Sequence, residues 1–524
     1  MARTLRDVRL TRRSLLAGAA AGAGWLVAGG ARAAPRIREA GFGCGVASGV
    51  PGGHGITVWT RVDGQERDGR LWLEVARDPG FSRVVHRREV DARAADDFTV
   101  HATLRGQYLK PGEEYHYRFH TRDSHSPPGR LRTLRPPDSR EPVRIAFWSC
   151  QAWSAGYYAA HADMARDGDL DLVVGLGDYV YEATGDAGPR QDTIGPDQSA
   201  QTLDEYRAKY RLYRSDADLR AMHAAHPYMG VWDDHEVESS YYGMEGGNVQ
   251  GRARRVPFPA RRANGYRAFF EHMPFARFAS RPDRIHRNLR LGAHAELFLL
   301  DLHQHADPLA CRDQPTVGPT TVGPCAARHD RNRSLMGQPQ RAWLLRELRR
   351  SRATWKVLGS SMMMMGLMAG PDQPFNLSQW DGWAGERAVL MEHLLANRIQ
   401  DVLVVSGDIH TFFAGQVTTT GESDGRPAAV EVIGSSISSS GIPEGLARGA
   451  DPATVATVTE RVSVTNPHIR WSEQTRRGYA VLELARDEAR IELRAVADAH
   501  RPSSPVSTLQ RLRVARGVPD VELV

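Results

Sequence analysis

Cysteine, aspartate, tyrosine and histidine recur at the ends of apolar runs in this sequence, in combinations that suit a metal ion. "FWSC" ends in Cys150. "GLGDYVY" carries Asp178 with Tyr181 three residues on. "VWDDHE" sets Asp233, Asp234, His235 and Glu236 in succession, and "VVSGDIH" carries Asp408 with His410 two residues on. A lone Asp–His pair is more often a salt bridge or a cap. Four such endings in one region are hard to explain as packing, because buried carboxylates that face one another repel and take up protons unless a cation sits between them. Carboxylates suit hard cations such as calcium, magnesium, manganese or ferric iron. A thiolate and a phenolate add anionic donors, and tyrosine is a ligand type for iron, so Cys150 with Tyr181 points to a trivalent metal. Taken singly, each Gly-Asp is a turn, Cys150 a small buried side chain and Tyr181 core packing. As a pair of matching strand–Gly–Asp endings, they favour the metal, with Gly177 and Gly407 expected to let the chain turn sharply.

Such ligands need strands whose ends converge. Apolar strand candidates run to Cys150, Asp178, Glu236, His303, Ser361 and His410, and "AWLLRELRRSRA" and "RAVLMEHLLANR" between them have helical periodicity with charged outer faces. This predicts an α/β layered domain, in which strand ends at one edge of a sheet face a common crevice. "GYAVLELARD" and "ARIELRAVAD" add a hairpin. Before it, "GITVWTRV", "LWLEVARD" and "EYHYRFHT" alternate apolar and polar residues between turn signals, which predicts a small N-terminal β-sandwich of the immunoglobulin or fibronectin type. The Pro-rich "LRPPDSREP", Leu134 to Pro142, is the expected boundary. The domains expected are 1–33 as a leader, 40–136 as the sandwich and 140–515 as the α/β domain.

The leader reading rests on Arg12-Arg13, the apolar run "LLAGAAAGAGWLVAGG" and the small-residue "ARA" at Ala31–Ala33. The arginine pair resembles a twin-arginine export signal, so the protein is expected to meet the twin-arginine machinery and to act in the periplasm, at the cell wall or outside the cell. The run is short for a membrane span, and no stable span is expected in the mature chain. The leader also changes the charge argument. The whole chain carries +6, but residues 1–33 hold six arginines and one aspartate, leaving the rest near neutral. A nucleic-acid partner is therefore not expected. Export permits disulfides, and Cys311 and Cys325 are placed to close the Pro/Gly-rich loop between them. Cys44 reads as a small buried thiol.

At these residues the chain resembles the alkaline phosphatase D (PhoD-like) family of the calcineurin-like metallophosphoesterase superfamily. "FGCGVASGVPGGHGITVWTRV", "LGDYVYE", "WDDHEV", "RATWKVLG", "LSQWDGW", "VVSGDIH" and "NPHIRW" occur in the family's order. The resemblance implies an αββα catalytic domain and iron (Fe3+) with calcium (Ca2+) as cofactors. It implies that Asp178 bridges two metals, that Tyr181 binds ferric iron, and that Cys150 stands where other superfamily members carry a first Asp. Asp234 falls near the second metal, His235 near the phosphate, and Asp408 and His410 among the ligands. It implies hydrolysis of phosphate mono- or diesters by a metal-activated water, with His235 protonating or steadying the leaving oxygen. The chain departs from the family at Ser239-Ser240, where many relatives have an Asn pair, and at "LHQHAD", Leu302 to Asp307, where relatives often carry Thr-Arg-Gln-Tyr. His303 and His305 there read as surface or supporting groups, and His468 as a supporting one. The four methionines Met362–Met365 read as core filler rather than as soft-metal ligands.

Three other functions are weighed. A phospholipase D-like phosphodiesterase acting on lipids or envelope polymers lies within what the resemblance implies. A serine hydrolase built on Ser406, Asp408 and His410 is disfavoured, since the three lie within five residues and no Gly-x-Ser-x-Gly elbow is present. An envelope-binding protein with an inactive site is disfavoured by the ligand types at all four strand ends.

Overall fold

In the strand Val402–Ser406, Leu403 and Val405 join one hydrophobic core while Val402 and Val404 join another. Phe412–Thr418 divides in the same way, with Phe412 and Ala414 on one side and Phe413 and Val417 on the other. So does Ala295–Leu299, where Leu297 and Leu299 oppose Phe298. Successive side chains of a strand point to opposite faces, so the sheet that holds these strands is buried on both sides. It has seven strands, in the order Arg287–Leu291, Ala295–Leu299, Trp355–Gly359, Val402–Ser406, Pro427–Gly434, Phe412–Thr418 and Ile469–Glu473.

One face of this sheet shares its core with Phe147, Val173 and Val231 of a second, ten-stranded sheet. The other is covered by Leu344 and Leu348 of the helix Gln338–Arg350 and by Leu390 and Leu394 of Ala384–Ala396. The helices Ala159–Arg166, Leu203–Tyr213, Ala217–Ala225 and Phe258–His272 add Met164, Tyr206, Leu219 and Phe269 to the core of the ten-stranded sheet. The layers are therefore helix, sheet, sheet, helix. The computed structural model describes residues 34–185, 188–249, 251–276, 278, 280–314, 316–317, 320–321, 324–370, 373–442, 460, 462 and 464–524. The leader and its arginine pair lie outside the described residues. Among these, no helix is long and apolar enough to cross a membrane.

The centre of the ten-stranded sheet is three adjacent parallel strands, Val143–Trp148, Leu172–Leu176 and Pro227–Val231. All carry near-continuous apolar sequence, as parallel strands buried on both faces do. On one side they continue through the hairpin Gly478–Leu484 and Glu488–Val496. On the other they continue into the N-terminal region. Val46–Gly52 pairs in parallel with Pro227–Val231, Ser48 opposite Pro227 and Gly49 opposite Tyr228. Gly49 permits this approach, since a Cβ there would lie 2.6 Å from the Tyr228 carbonyl oxygen and 2.7 Å from that of Pro274. The N-terminal region is strand-rich, with Val46–Gly52, Gly55–Arg61 and Thr99–Arg105 facing a four-stranded sheet across a shared core of Val58, Ala102, Leu73, Tyr115 and Phe119. The sequence predicts a β-sandwich here, bounded by Leu134 to Pro142; one of the region's two sheets is also the end of the central sheet, a junction between residues some 180 positions apart that no local pattern announces.

Asp97 fastens this junction. Arg61 Nε and Nη2 donate to its two oxygens at 3.0 and 3.1 Å, Arg211 Nη1 donates at 2.8 Å, and His272 Nε2 lies 3.2 Å away. The last two belong to the helices Leu203–Tyr213 and Phe258–His272. Elsewhere, Cys311 and Cys325 form a disulfide and Cys44 is a buried thiol. Met362 to Met365 are all buried in the core outside the seven-stranded sheet. Ser406 donates to Glu431 at 2.6 Å rather than to His410, so no Ser–His–Asp relay exists.

Burial raises the Asp97 carboxyl, but the neighbouring His272 and the Arg61 guanidinium more than offset it, so its pKa falls below the ordinary 3.8. A depressed carboxylate contributes stability that is present above that ordinary value and lost as pH falls through the folded-state pKa. Asp97→Asn is expected to lower unfolding stability at pH 7 by about 1–2 kcal/mol, less than a fully buried ion pair because Asp97 is half-buried and partly screened by solvent. The gap between variant and wild type should narrow below pH 3.8. Denaturant melts at pH 7 and pH 3 check both.

Candidate metal centre

The carboxyl ends of the three parallel strands and of Val402–Ser406 in the facing sheet run out together. Each delivers polar residues within two to four positions: Cys150 after Trp148, Asp178 after Leu176, Asp233 and Asp234 after Val231, Asp408 and His410 after Ser406. Ligand atoms of Cys150, Asp178 and His410 lie within 4.8 Å of one another. The same holds for Asp178, Asp234 and His235, and for Asp178, Asp233, Asp234 and Asp408. Asp178 belongs to all three groups. The Tyr181 hydroxyl lies 3.3 Å from His410 Nε2 and accepts from Ser439 at 2.8 Å, and its ring stacks on His235 at 4.2 Å. The seven residues to which the resemblance gives a role at the site, Cys150, Asp178, Tyr181, Asp234, His235, Asp408 and His410, thus meet in one cluster, with Asp233 among them. Tyr179 does not. It is buried, its hydroxyl 2.9 Å from His223 Nε2.

The turns that aim these side chains are unusual. Cys150, Asp178, Asp408 and His410 all have φ between +55° and +60°. Such a conformation costs a non-glycine residue on the order of 1 kcal/mol or more and persists only where the surroundings impose it. Cys150 N donates to the Gly177 carbonyl and Gln151 N to that of Asp178, both at 3.2 Å, tying the first two turns together. Glu236 does most of the rest. Its carboxylate accepts from the backbone N–H of Asp178 at 3.2 Å, Tyr179 at 2.7 Å and Asp233 at 2.8 Å. The two glycines are not equivalent. Gly177 has φ +108°, and a Cβ there would lie 2.5 Å from Asp233 Cβ, so both turn and contact demand it. Gly407 has no left-handed φ; a Cβ there would strike Ser149 Oγ at 2.3 Å. It is required by the close approach of the strand end from the other sheet, not by the turn the sequence suggests.

Burial and repulsion set the protonation of the cluster. Burial pushes the Asp178 carboxyl well up, and Asp234 and Asp233 add to this against the attraction of His235. Asp408 is raised to about 8 by burial and by Asp233 and Asp234. Burial, with Asp178 beside each, raises the Cys150 thiol and the Tyr181 phenol. These groups reach their anionic forms together only if a cation compensates. Two carboxylate oxygens, Asp178 Oδ2 and Asp234 Oδ1, are buried with no hydrogen-bond partner, a costly state that a cation relieves. The donor set therefore fits hard, highly charged metal ions.

Several supporting residues escaped the sequence reading. Glu182, buried, accepts from His235 Nδ1 at 2.7 Å and from Ser239 N at 2.9 Å. Burial opposes a charge on His235, yet Asp234, Glu182 and Asp178 hold its pKa well above the ordinary value. His303 did not escape: read from the sequence as a surface or supporting group, it is buried, with Nε2 2.8 Å from Asp233 Oδ1, while Gln379 Nε2 donates to Asp408. Ser240, itself at φ +59°, donates its N–H to Asp234 at 2.6 Å, so the Ser239-Ser240 pair acts through backbone. Glu182 stands one residue after Tyr181 and Gln379 within "LSQWDGW", so position in a motif was the available signal. His468 is buried away from the cluster, its Nε2 2.8 Å from the Gly366 carbonyl.

Residues 145–493 match the family model described as PhoD-like phosphatase, and residues 29–135 match that of the PhoD-like phosphatase N-terminal domain. The chain is 32% identical over 502 residues to alkaline phosphatase D of Bacillus subtilis (strain 168), covering 91% of this chain and 81% of that protein. The solved structure of PhoD superposes with a TM-score of 0.82 at 29% identity, over 94% of this chain and 93% of that one. Purple acid phosphatase PPD1 of yellow lupin (Lupinus luteus) superposes with a TM-score of 0.56 over 90% of this chain and 74% of that one, at 12% identity, a likeness of fold alone. Both the central cluster and the strand-rich region before it lie within matched residues, and the chain belongs to the PhoD-like phosphatase family.

Proposed function

We propose that this chain is an exported, metal-dependent phosphatase that hydrolyses phosphate mono- or diesters at the cluster around Asp178. The observation that carries the reading is the membership of Asp178 in three ligand groups at once, beside two buried carboxylate oxygens without partners. Cys150, Asp178, Tyr181 and His410 would hold a ferric ion, and Asp178, Asp234 and Asp408 would hold calcium. When bound, these cations supply Lewis-acid charge that neutralises the phosphoryl oxygens and lowers the pKa of an attacking water.

The chain's own residues orient and donate. Tyr181, His235, Asp408 and His410 are half-buried, while Asp178 and Cys150 are wholly enclosed, so substrate enters from the His235 side. Glu182 takes His235 Nδ1, which leaves Nε2 for the leaving-group oxygen. Glu182, which is not among the proposed metal ligands, favours the charged form of His235, as a proton donor to a departing alkoxide requires. We read residues 1–33 as a twin-arginine leader, 40–136 as an immunoglobulin- or fibronectin-like domain and 140–515 as the catalytic domain, with action outside the cytoplasm.

Asp178→Asn is expected to lower hydrolysis of p-nitrophenyl phosphate by more than about 100-fold with loss of bound metal. Wild-type rates with metal retained would refute the site. Elemental analysis of natively purified protein should find iron with calcium, and zinc alone would overturn the assignment of Cys150 and Tyr181. Glu182→Gln is expected to lower kcat by about 10- to 100-fold with KM little changed. It should also move the basic limb of the rate profile to lower pH, because removing a neighbouring anion lowers the His235 pKa. An unshifted profile would separate Glu182 from His235.

A further inference from the structure

A second cavity, of about 750 Å3, opens beside the loop that follows Ala295–Leu299, and none of its lining residues belongs to the Asp178 cluster. Its wall includes Arg262, Arg281, Arg284 and His286, and it is floored by Gly337 and Gln338 at the start of the helix Gln338–Arg350. The volume is that of a small-molecule site.

Its positive charge is left unanswered. Among the described residues, neither Arg281, Arg284 nor the adjacent Arg287 makes an ion pair with a carboxylate. Arg284 Nε donates to the His286 carbonyl at 3.2 Å, and its guanidinium lies over Phe278 and Trp343. Arg287 Nε donates to the Ile285 carbonyl, and its Nη2 is buried without a partner. Two aspartates also line the cavity. Asp307 is engaged, accepting from Ser334 N at 2.7 Å, and Asp283 is exposed. The helix adds positive potential. It is 13 residues long, and its N-cap Gly337 brings no side-chain cap to the first turn, where the helix dipole favours an anion although Pro339 has no N–H to donate.

His286 supplies an independent indication. It is only 8% exposed, lines the cavity, packs against Trp343 at 5.0 Å, and its Nδ1 is buried with no hydrogen-bond partner. A buried ring nitrogen without a partner is costly. Burial, with Arg284, His305, Arg281 and Arg287 around it, holds its pKa down to about 3. Arginines that meet backbone carbonyls but no carboxylate, beside a ring nitrogen with no partner, leave the positive charge of the cavity to be met from outside.

We propose that this cavity is a binding site for a phosphate group, separate from the metal centre, in which Arg281 and Arg284 grip the phosphate oxygens, the His286 imidazole completes the contacts and the N-terminus of Gln338–Arg350 supports the charge. Arginine's planar fork of donors matches phosphate oxygens in pairs. The same chemistry serves free phosphate and the phosphate of a small organic ester.

Calorimetric titration of the full-length, metal-loaded protein tests this, using inorganic phosphate and, separately, phenylphosphonate, whose carbon–phosphorus bond withstands phosphatase hydrolysis. Wild type is expected to bind two equivalents. Arg281→Glu, at an exposed side chain, and His286→Phe, which keeps a ring against Trp343, are each expected to weaken one of the two events at least tenfold. That same event persists in Asp178→Asn, which disturbs the other. Tighter binding of phenylphosphonate assigns the cavity to an organic phosphate, and tighter binding of phosphate assigns it to the free ion. A single equivalent in wild type, or two events unchanged in both Arg281→Glu and His286→Phe with melting temperatures preserved, overturns the proposal. So does loss of the cavity event in folded Asp178→Asn.

Discussion

Asp178, Asp233, Asp234 and Asp408 bring carboxylate oxygens within 4.8 Å of one another in a buried place, and the repulsion among them governs how the surrounding structure is made. Four carboxylates cannot share such a volume in ionised form without compensation. The protein answers part of this charge itself. Glu236, the fifth acidic group, is turned away to gather three backbone N–H groups, His303 stands against Asp233, and Ser240 gives its N–H to Asp234. The remainder is left for cations. Asp178 Oδ2 and Asp234 Oδ1 are fully buried oxygens of this group that no protein hydrogen bond satisfies.

Holding repelling groups together takes rigidity, and the layered fold supplies it. The proposed ligands stand on turns, yet each turn begins at the end of a strand buried on both faces. Left-handed φ at Cys150, Asp178, Asp408 and His410 is the backbone's share of the same cost. The turns are cross-tied, Cys150 to Gly177 and Gln151 to Asp178. No single turn relaxes without displacing its neighbours. The close contact of Gly407 with Ser149 shows how near the two sheets come at this edge. Any larger residue there would separate the halves of the cluster.

The N-terminal strands belong to this framework rather than hanging from it. They extend the central sheet through Pro227–Val231, the strand that leads into Asp233 and Asp234. Asp97 then ties them to two helices that pack on that sheet. The strand ahead of two of the four central aspartates is thereby held between neighbours on both sides, Leu172–Leu176 and Val46–Gly52. A cluster that must resist its own repulsion benefits from strands that cannot splay.

The sequence by itself determined the ligand types and the strands that carry them. Strand–Gly–Asp endings, the "WDDHE" run and the fully apolar strands are local patterns, and each follows from chemistry within a few residues. Period-two alternation likewise made the strand-rich N-terminal region legible, and the Cys311–Cys325 loop announced its own closure. Tertiary structure alone decided three things. It made Glu236 a backbone acceptor rather than a ligand, because its partners Asp178 and Tyr179 lie 58 and 57 residues away. It made Gly407 a matter of inter-sheet contact rather than of turning, since Ser149 comes from the other sheet. It joined the N-terminal strands to the central sheet and set Arg281, Arg284 and His286 against a distant helix start. Pairings of this kind depend on which surfaces meet when the layers close, and a one-dimensional pattern carries no record of that.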